Sequence, residues 1–208
     1  LSNGDGLPVA IHLRRDLPDC WSTRPGPFQL KTAAALLSVQ EHPAVWKTFH
    51  RWSGRVLDAT DPADLHPAFY ALEGLLRFGI AGRHEALQEA NSCFGVLLEH
   101  VDCSRSDVIA QALLVGCRLR SLGFERTKRV SDRLEELRFL LEEFIADSGA
   151  VSFRRLGTSP IHWNAWSAIF AHQYFWLEQF SPPTGSPGFH EKTGDADRDS
   201  AKGDGKAP

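Results

Sequence analysis

The chain has 208 residues, a composition ordinary for a globular protein and a formal net charge of −3. This length suits one domain with tails, and the weak negative charge gives no electrostatic case for binding nucleic acid or an anionic membrane. No apolar run reaches the ~20 residues of a membrane-spanning helix, and no segment resembles a signal peptide. We therefore expect a cytoplasmic protein with no transmembrane segment and no nucleic-acid partner.

The cysteines and the missing methionine also bear on the class of protein. The four cysteines are scattered and lack zinc-like spacing, which predicts buried thiols in a reducing compartment, with no metal and no cofactor. The chain begins at Leu1 and contains no Met. We expect from this that it is the C-terminal portion of a longer protein, whose N-terminal half would be a partner of this domain.

Hydrophobic periodicity predicts seven helices in the middle of the chain, which we interpret as one domain of helical hairpins over residues 28–180. The predicted helices cover residues 28–40, 43–57, 66–79, 84–101, 106–122, 128–146 and 161–180. Residues 1–27 are rich in Gly, Pro and Asp and are predicted to form an irregular lead-in. Residues 181–208 have almost nothing to bury and are predicted to be a disordered tail.

The predicted helices alternate between two kinds. Helices 66–79, 106–122 and 161–180 are apolar over most of their circumference, and a helix of that kind is expected to be buried on nearly every side. Those at 43–57, 84–101 and 128–146 carry a single apolar stripe. Short connections make neighbours antiparallel. The pattern indicates an all-α fold with buried inner helices and amphipathic outer ones: an α/α toroid or, alternatively, an α-solenoid.

Polar residues begin three of the predicted inner helices, namely His66, Asp107 and His162. Because the starts of parallel inner helices meet at one mouth, these three are predicted to be catalytic acid/base residues. The predicted substrate-binding residues lie about one turn deeper or in the loop before the last helix: Tyr70, Gln111, Arg154, Trp163, Asn164 and Trp166. A structural alternative is that His66 and Asp107 only stabilise helix starts.

Glu73 stands in an otherwise apolar helix, where an unpaired carboxylate would be costly. Arg77 lies one turn further on the same face and is predicted to pair with it. Arg118 occupies the matching place in the next inner helix and is a second candidate partner. A structural ion pair is favoured over a catalytic acid.

Two stretches loosely follow a repeat of Leu, Leu and Gln ahead of a Gly-containing loop with an aromatic residue. They contain Leu36, Leu37, Gln40 and Trp46, and Leu140, Leu141, Gly149 and Phe153. On these residues the chain resembles, over about 28–180, the α/α-toroid superfamily of terpenoid cyclases and protein prenyltransferases. The resemblance implies a ligand, an isoprenoid or another apolar substrate, in a central cavity lined by the inner helices. The Asp-rich motifs of the cyclases and the zinc ligands of the prenyltransferases have no match in this sequence.

Two other functions stay open at this point. A carbohydrate-active toroid enzyme (a lyase, epimerase or hydrolase) would act on a sugar with His66, Tyr70, Asp107 and His162. A non-catalytic helical-repeat module would instead bind a peptide or a partner helix. A shared cavity at the three helix starts would favour an enzyme, and its absence would favour the binding module.

Overall fold

The computed structural model describes Leu7 and residues 20–61, 64–155 and 162–180. In these residues the extended structure is limited to isolated bridges, so the predicted all-α class is confirmed. After a short 3-10 helix at Trp21–Thr23, the helices are α1 (Gln29–Leu37), α2 (Pro43–Trp52), α3 (His66–Ile80), α4 (His84–Glu99), α5 (Ser106–Ser121), α6 (Lys128–Glu142) and α7 (Ala165–Phe180). The predicted tail and most of the predicted lead-in lie outside the described residues.

Local sequence signals explain where several helices begin and end. The His42 side chain accepts a hydrogen bond from the backbone N–H of Ala44, and Thr127 caps α6 in the same manner. Glycines with positive φ follow the inner helices α3 and α5, at Gly82 (φ 100) and Gly123 (φ 86). Residues with a side chain rarely adopt this conformation, so the glycines allow the chain to turn back into the outer helices.

The helices form two layers. Helices α1, α3, α5 and α7 pack side by side in chain order, and α2, α4 and α6 lie outside against α1, α3 and α5. The central helices α3 and α5 are the most enclosed, as predicted from their apolar circumference. The outer helix α6 buries the predicted stripe at Leu134, Leu137 and Leu141, with Phe144 just after the helix.

The inner row is strongly bent. The Lys31 Nζ of α1 lies 4.0 Å from the centre of the Tyr70 ring on α3 and 5.1 Å from that of Phe170 on α7. A side chain of the last inner helix in the row therefore reaches the first one. A closed ring of hairpins, as in a toroid, stays a prediction.

Gly74 marks the closest approach of two inner helices. A Cβ atom at this position would lie 2.4 Å from the carbonyl carbon of Leu30 and 2.6 Å from the amide nitrogen of Lys31. Because both atoms belong to the α1 backbone, no side-chain movement could relieve the clash. The glycine therefore allows α1 and α3 to pack backbone against backbone.

Helix α7 differs from its prediction. It begins at Ala165 rather than at Ile161, and it is not buried on nearly every side. Phe170 and Tyr174 are buried, whereas Trp166 is 61% exposed. The prediction of all-round burial is wrong because α5 covers one side of α7 only, and periodicity cannot show whether a neighbour covers the other side.

Candidate functional site

His66 and Asp107 meet at the amino-terminal ends of α3 and α5, as predicted. Both are buried, and the His66 Nδ1 lies 3.4 Å from the Asp107 Oδ2. The two inner helices run in the same direction, so residues at their starts become neighbours. This distance is long for a hydrogen bond, and Nδ1 makes none.

Arg105 holds the Asp107 carboxylate in place and was not predicted from the sequence. Its Nη2 donates to the Asp107 Oδ2 at 2.9 Å and its Nε to the Oδ1 at 3.2 Å, a bidentate pair. Its Nη1 donates to the Asp64 Oδ1 at 3.1 Å. Burial opposes the charge of Arg105, but these carboxylates outweigh it and raise the pKa of the guanidinium.

The environment of His66 keeps its imidazole neutral. Burial lowers the pKa of His66 below its ordinary value, and the charge of Asp107 offsets this only partly. Three aromatic rings surround the imidazole, with centres 4.5 Å (Tyr70), 5.6 Å (Trp21) and 6.4 Å (Phe170) away. Trp21 lies in the region predicted to be an irregular lead-in.

Gln111, one turn further along α5, is fully buried, and neither its Oε1 nor its Nε2 forms a hydrogen bond of good geometry. The side chain still lies close enough to the His66 imidazole to oppose the lowering of its pKa. A buried amide without partners is uncommon, because leaving it unsatisfied costs about 1–3 kcal/mol. Gln111 is therefore the feature of this cluster most suggestive of a ligand.

The cluster can do little chemistry as it stands. A neutral imidazole beside a carboxylate is a possible general base, but Asp107 is already occupied by Arg105. Of three cavities among the described residues, one lies beside the cluster and is lined by Trp21, Asp64 and Pro67, and none of the three is lined by His66, Tyr70 or Gln111. A cavity of about 450 Å³ therefore lies next to the predicted mouth, without His66, Tyr70 or Gln111 in its lining.

Among the described residues, no hydrogen bond or ion pair joins the His162 side chain to His66 or Asp107. His162 is exposed, lies before the start of α7, and its carbonyl oxygen accepts a hydrogen bond from the backbone N–H of Phe153. The convergence of His162 with the other two residues stays a prediction. The predicted register assumed a helix from residue 161, whereas the segment before Ala165 pairs with the loop at residues 151–153.

Asn164 and Trp163 are placed differently from the prediction, whereas Arg154 lies in the predicted loop. Asn164 begins α7: its Oδ1 accepts from the backbone N–H groups of Trp166 and Ser167 at 2.9 Å and 3.2 Å, a structural capping role. Arg154 is exposed in the preceding loop. Trp163 is 56% exposed and, like Trp166, does not line a central cavity.

Three buried serines join α5, α7 and the loop between α6 and α7. The Ser106 Oγ donates to the carbonyl oxygen of Ser152 at 2.6 Å and lies 2.8 Å from the Ser167 Oγ. Ser106 is the first residue of α5, and its side chain makes this junction. The only signal of this junction in the sequence was the presence of small polar residues near the starts of two helices.

A buried ion cluster connects the first three inner helices. The Glu73 carboxylate, 2% exposed, lies 3.0 Å from the Lys31 Nζ and 3.2 Å from the Arg118 Nη1. The predicted pairing with Arg118 is confirmed, whereas the preferred partner Arg77 is exposed and Lys31 takes its place. The close contact of α1 with α3 at Gly74 brings Lys31 within reach.

Among the described residues, four of the eleven exposed large apolar side chains lie on or just before α7. We name this surface the aromatic face, and it consists of Trp163 (56% exposed), Trp166 (61%), Ile169 (44%) and Trp176 (54%). The other exposed large apolar side chains are scattered along the chain, as in Val39 and Ile80. A concentration of this kind marks interaction sites, whereas single exposed apolar residues need no explanation.

Comparison of the chain with protein-family models, with curated proteins and with solved structures gives no match in any of the three. The resemblance to terpenoid cyclases and prenyltransferases thus stays a prediction. Among the described residues, no helix is long and apolar enough to cross a membrane. The same part of the chain contains no group of three or more His, Cys, Asp or Glu residues arranged to hold a metal ion.

Proposed function

We propose that the protein is a non-catalytic helical-repeat module that binds an amphipathic helix of a partner protein on the aromatic face. The proposal is carried by the exposure of Trp166, Ile169 and Trp176 along one side of α7. Nearly every other large apolar residue of the central inner helices is buried. The exposure of these three residues on α7 is therefore unusual for an inner helix.

The spacing of the aromatic face suits a helix. Residues 166, 169, 173 and 176 follow each other at three or four positions, which places them in one stripe about 15 Å long. A groove that binds a helix contacts apolar side chains that follow each other at the same spacing along the partner helix. A partner segment of three to four turns would cover the stripe.

The architecture also favours a helix over an irregular peptide. Helices α1, α3 and α5 each pack along their length against a following inner helix. An added helix against α7 would repeat that packing. Arg154 and His162 are exposed near the start of α7, so acidic residues at the matching end of the partner would complement them.

The exposed area is large enough for a specific interface. A Trp side chain buries up to about 250 Å², so the four residues expose on the order of 500 Å² at the fractions given above. The largest apolar patch of a typical monomer has this size and is often functional. With a polar rim, the surface approaches the roughly 800 Å² per partner of a standard interface.

The experiment is a titration with a synthetic helix of about 15 residues that carries Leu at the matching spacing and Glu at its flanks. Binding should shift the tryptophan emission to the blue. In the double variant Trp166→Ala/Ile169→Ala the affinity should fall at least about tenfold, because interface hot spots cost about 2 kcal/mol or more on truncation. The matched control Ile80→Ala removes an exposed apolar side chain from α3 and should bind normally.

Two results would contradict the proposal. One is equal binding of the double variant, or of a peptide in which Ser replaces every Leu. The other is a dimer of the free protein, detected by sedimentation velocity, that dissociates in the double variant. A second copy of the chain would then be the natural occupant of the aromatic face.

The toroid enzyme is a second candidate, because the buried Gln111 amide, which forms no hydrogen bond of good geometry, lies beside the neutral His66 imidazole. A small ligand, an isoprenoid in the cyclase or prenyltransferase-like case or a sugar in the carbohydrate-active case, would have to satisfy that amide. A thermal-shift panel of isoprenoid diphosphates and oligosaccharides tests this candidate. A melting point raised by one of them in the wild type but not in Gln111→Leu would support it over the binding module.

A further inference from the structure

A cavity of about 220 Å³ lies between α5, α6 and α7, on the side of α7 away from the aromatic face. Three guanidinium groups contribute to its lining, from Arg120, Arg126 and Arg138. Its other polar residues are Cys117, Ser131, Glu135, Tyr174 and Glu178. No part of the proposed function uses this cavity.

Two arginines in the cavity have buried donors without acceptors. The Nε of Arg126 and the Nε of Arg138 form no hydrogen bond. Arg126 does use its Nη2, which donates to the carbonyl oxygen of Gly116. Leaving such donors unsatisfied costs about 1–3 kcal/mol each, so an acceptor in the cavity would be stabilising.

The carboxylates in the cavity do not satisfy these donors. The Glu178 Oε1 accepts a hydrogen bond from the Tyr174 hydroxyl, and its Oε2 is 3.7 Å from the Arg138 Nε, too far for a hydrogen bond. Glu135 is exposed. Three guanidinium groups and two carboxylates line the cavity, and Arg138 also lies 4.0 Å from the Glu142 carboxylate outside it.

The Cys117 thiol does not supply a negative charge to the cavity. Burial raises the pKa of the Cys117 thiol, although the nearby guanidinium groups of Arg120 and Arg126 oppose that effect. Burial, together with the charge of Arg120, lowers the pKa of Arg126. An acceptor for the Nε donors of Arg126 and Arg138 would therefore come from solution.

We infer that this cavity binds a compact oxyanion, a phosphate group either free or on a small monoester, between Arg120, Arg126 and Arg138. Guanidinium groups offer paired N–H donors that match the oxygens of phosphate. The volume equals that of about seven waters, enough for such a group and too small for a large ligand. The cavity is separate from the aromatic face, so its occupancy does not depend on the proposed function.

The test is proton–nitrogen NMR of the arginine side chains during titration with inorganic phosphate, and in a second arm with glycerol phosphate. Variants Arg126→Lys and Arg138→Lys assign the two Nε–H signals by their loss. Both Nε–H signals of the wild type should shift with added phosphate until binding saturates. Tighter binding of glycerol phosphate than of inorganic phosphate would identify a phosphate monoester as the ligand. Sodium chloride at matched ionic strength should leave both signals in place.

Variants of Arg126 and Arg129 test whether phosphate binds in this cavity. Arg126→Gln should weaken phosphate binding about tenfold or more, because a charge-assisted hydrogen bond and its charge are lost. Arg126→Lys retains the charge and is the substitute if the Gln variant does not fold. Arg129→Lys, on an exposed part of α6, should bind as the wild type does. Signals that stay unmoved by phosphate, or move equally with chloride, would overturn the inference.

Discussion

Glu73→Gln tests the buried ion cluster that connects α1, α3 and α5. The substitution keeps the shape of the side chain but removes the negative charge between Lys31 and Arg118. Breaking a buried ion pair by removing one partner costs about 3–5 kcal/mol. Here the two cations keep 30% and 25% of their side-chain surface in solvent and can regain hydration. We therefore expect a loss of about 2–3 kcal/mol in the free energy of unfolding.

Substitution of the cations should give a different pattern. Lys31→Met leaves Arg118 to neutralise Glu73, so it should cost about 1 kcal/mol, as for the loss of one hydrogen bond. The double variant Lys31→Met/Arg118→Met leaves the carboxylate alone in the interior and should cost at least as much as Glu73→Gln. The two losses are not expected to add, because both cations share one partner.

Urea unfolding followed by far-ultraviolet circular dichroism measures these differences, provided that the dependence on urea stays the same among the variants. Asp132→Asn is the control, since it removes an exposed ion pair with Lys128 and should leave the unfolding midpoint in place. A Glu73→Gln variant as stable as the wild type would refute the reasoning. Equal losses from Lys31→Met and Glu73→Gln would refute the shared-partner account.

The remaining predictions concern helix packing and pH. Gly74→Ala should destabilise the protein by about 3 kcal/mol or more, because its Cβ would meet the α1 backbone. Gly95→Ala, in α4 with nothing within 4 Å, should instead stabilise it by about 0.5–1 kcal/mol in the same urea experiment. The lowered pKa of His66 means that the unfolded chain binds this proton more readily, so stability should fall as pH drops below about 6.5 towards the folded-state pKa. His66→Gln should lose less stability than the wild type between about pH 7.5 and pH 5, and an identical pH dependence would show that His66 does not titrate as described.

The sequence predicted the helices well because each depends on a local apolar pattern. Helix α3 was predicted at 66–79 and occurs at His66–Ile80, between Pro67 and the glycine turn at Gly82. Helix α2 was predicted to reach residue 57 but ends at Trp52, since Gly54 adopts a positive φ. The apolar residues beyond it, such as Val56, are buried from a turn rather than from a helix.

The site was harder to predict because it depends on contacts between distant residues. The parallel direction of α3 and α5 was enough to bring His66 and Asp107 together, but the role of Arg105 is visible only in three dimensions. Lys31 reaches Glu73 across 42 positions of sequence. For α7, the side packed against α5 and the exposed side are both aromatic, so composition could not distinguish a buried face from an interaction surface.

The most direct test of the aromatic face is fluorine NMR of protein in which all six tryptophans are replaced by fluorotryptophan. A soluble paramagnetic probe should broaden the signals of Trp163, Trp166 and Trp176 in the free protein, because each is more than half exposed. Addition of the amphipathic helix should protect these three signals and leave those of Trp21, Trp46 and Trp52 unchanged. If the three signals are already protected in the free protein, or stay broadened at saturating peptide, α7 does not present a docking surface for a partner helix.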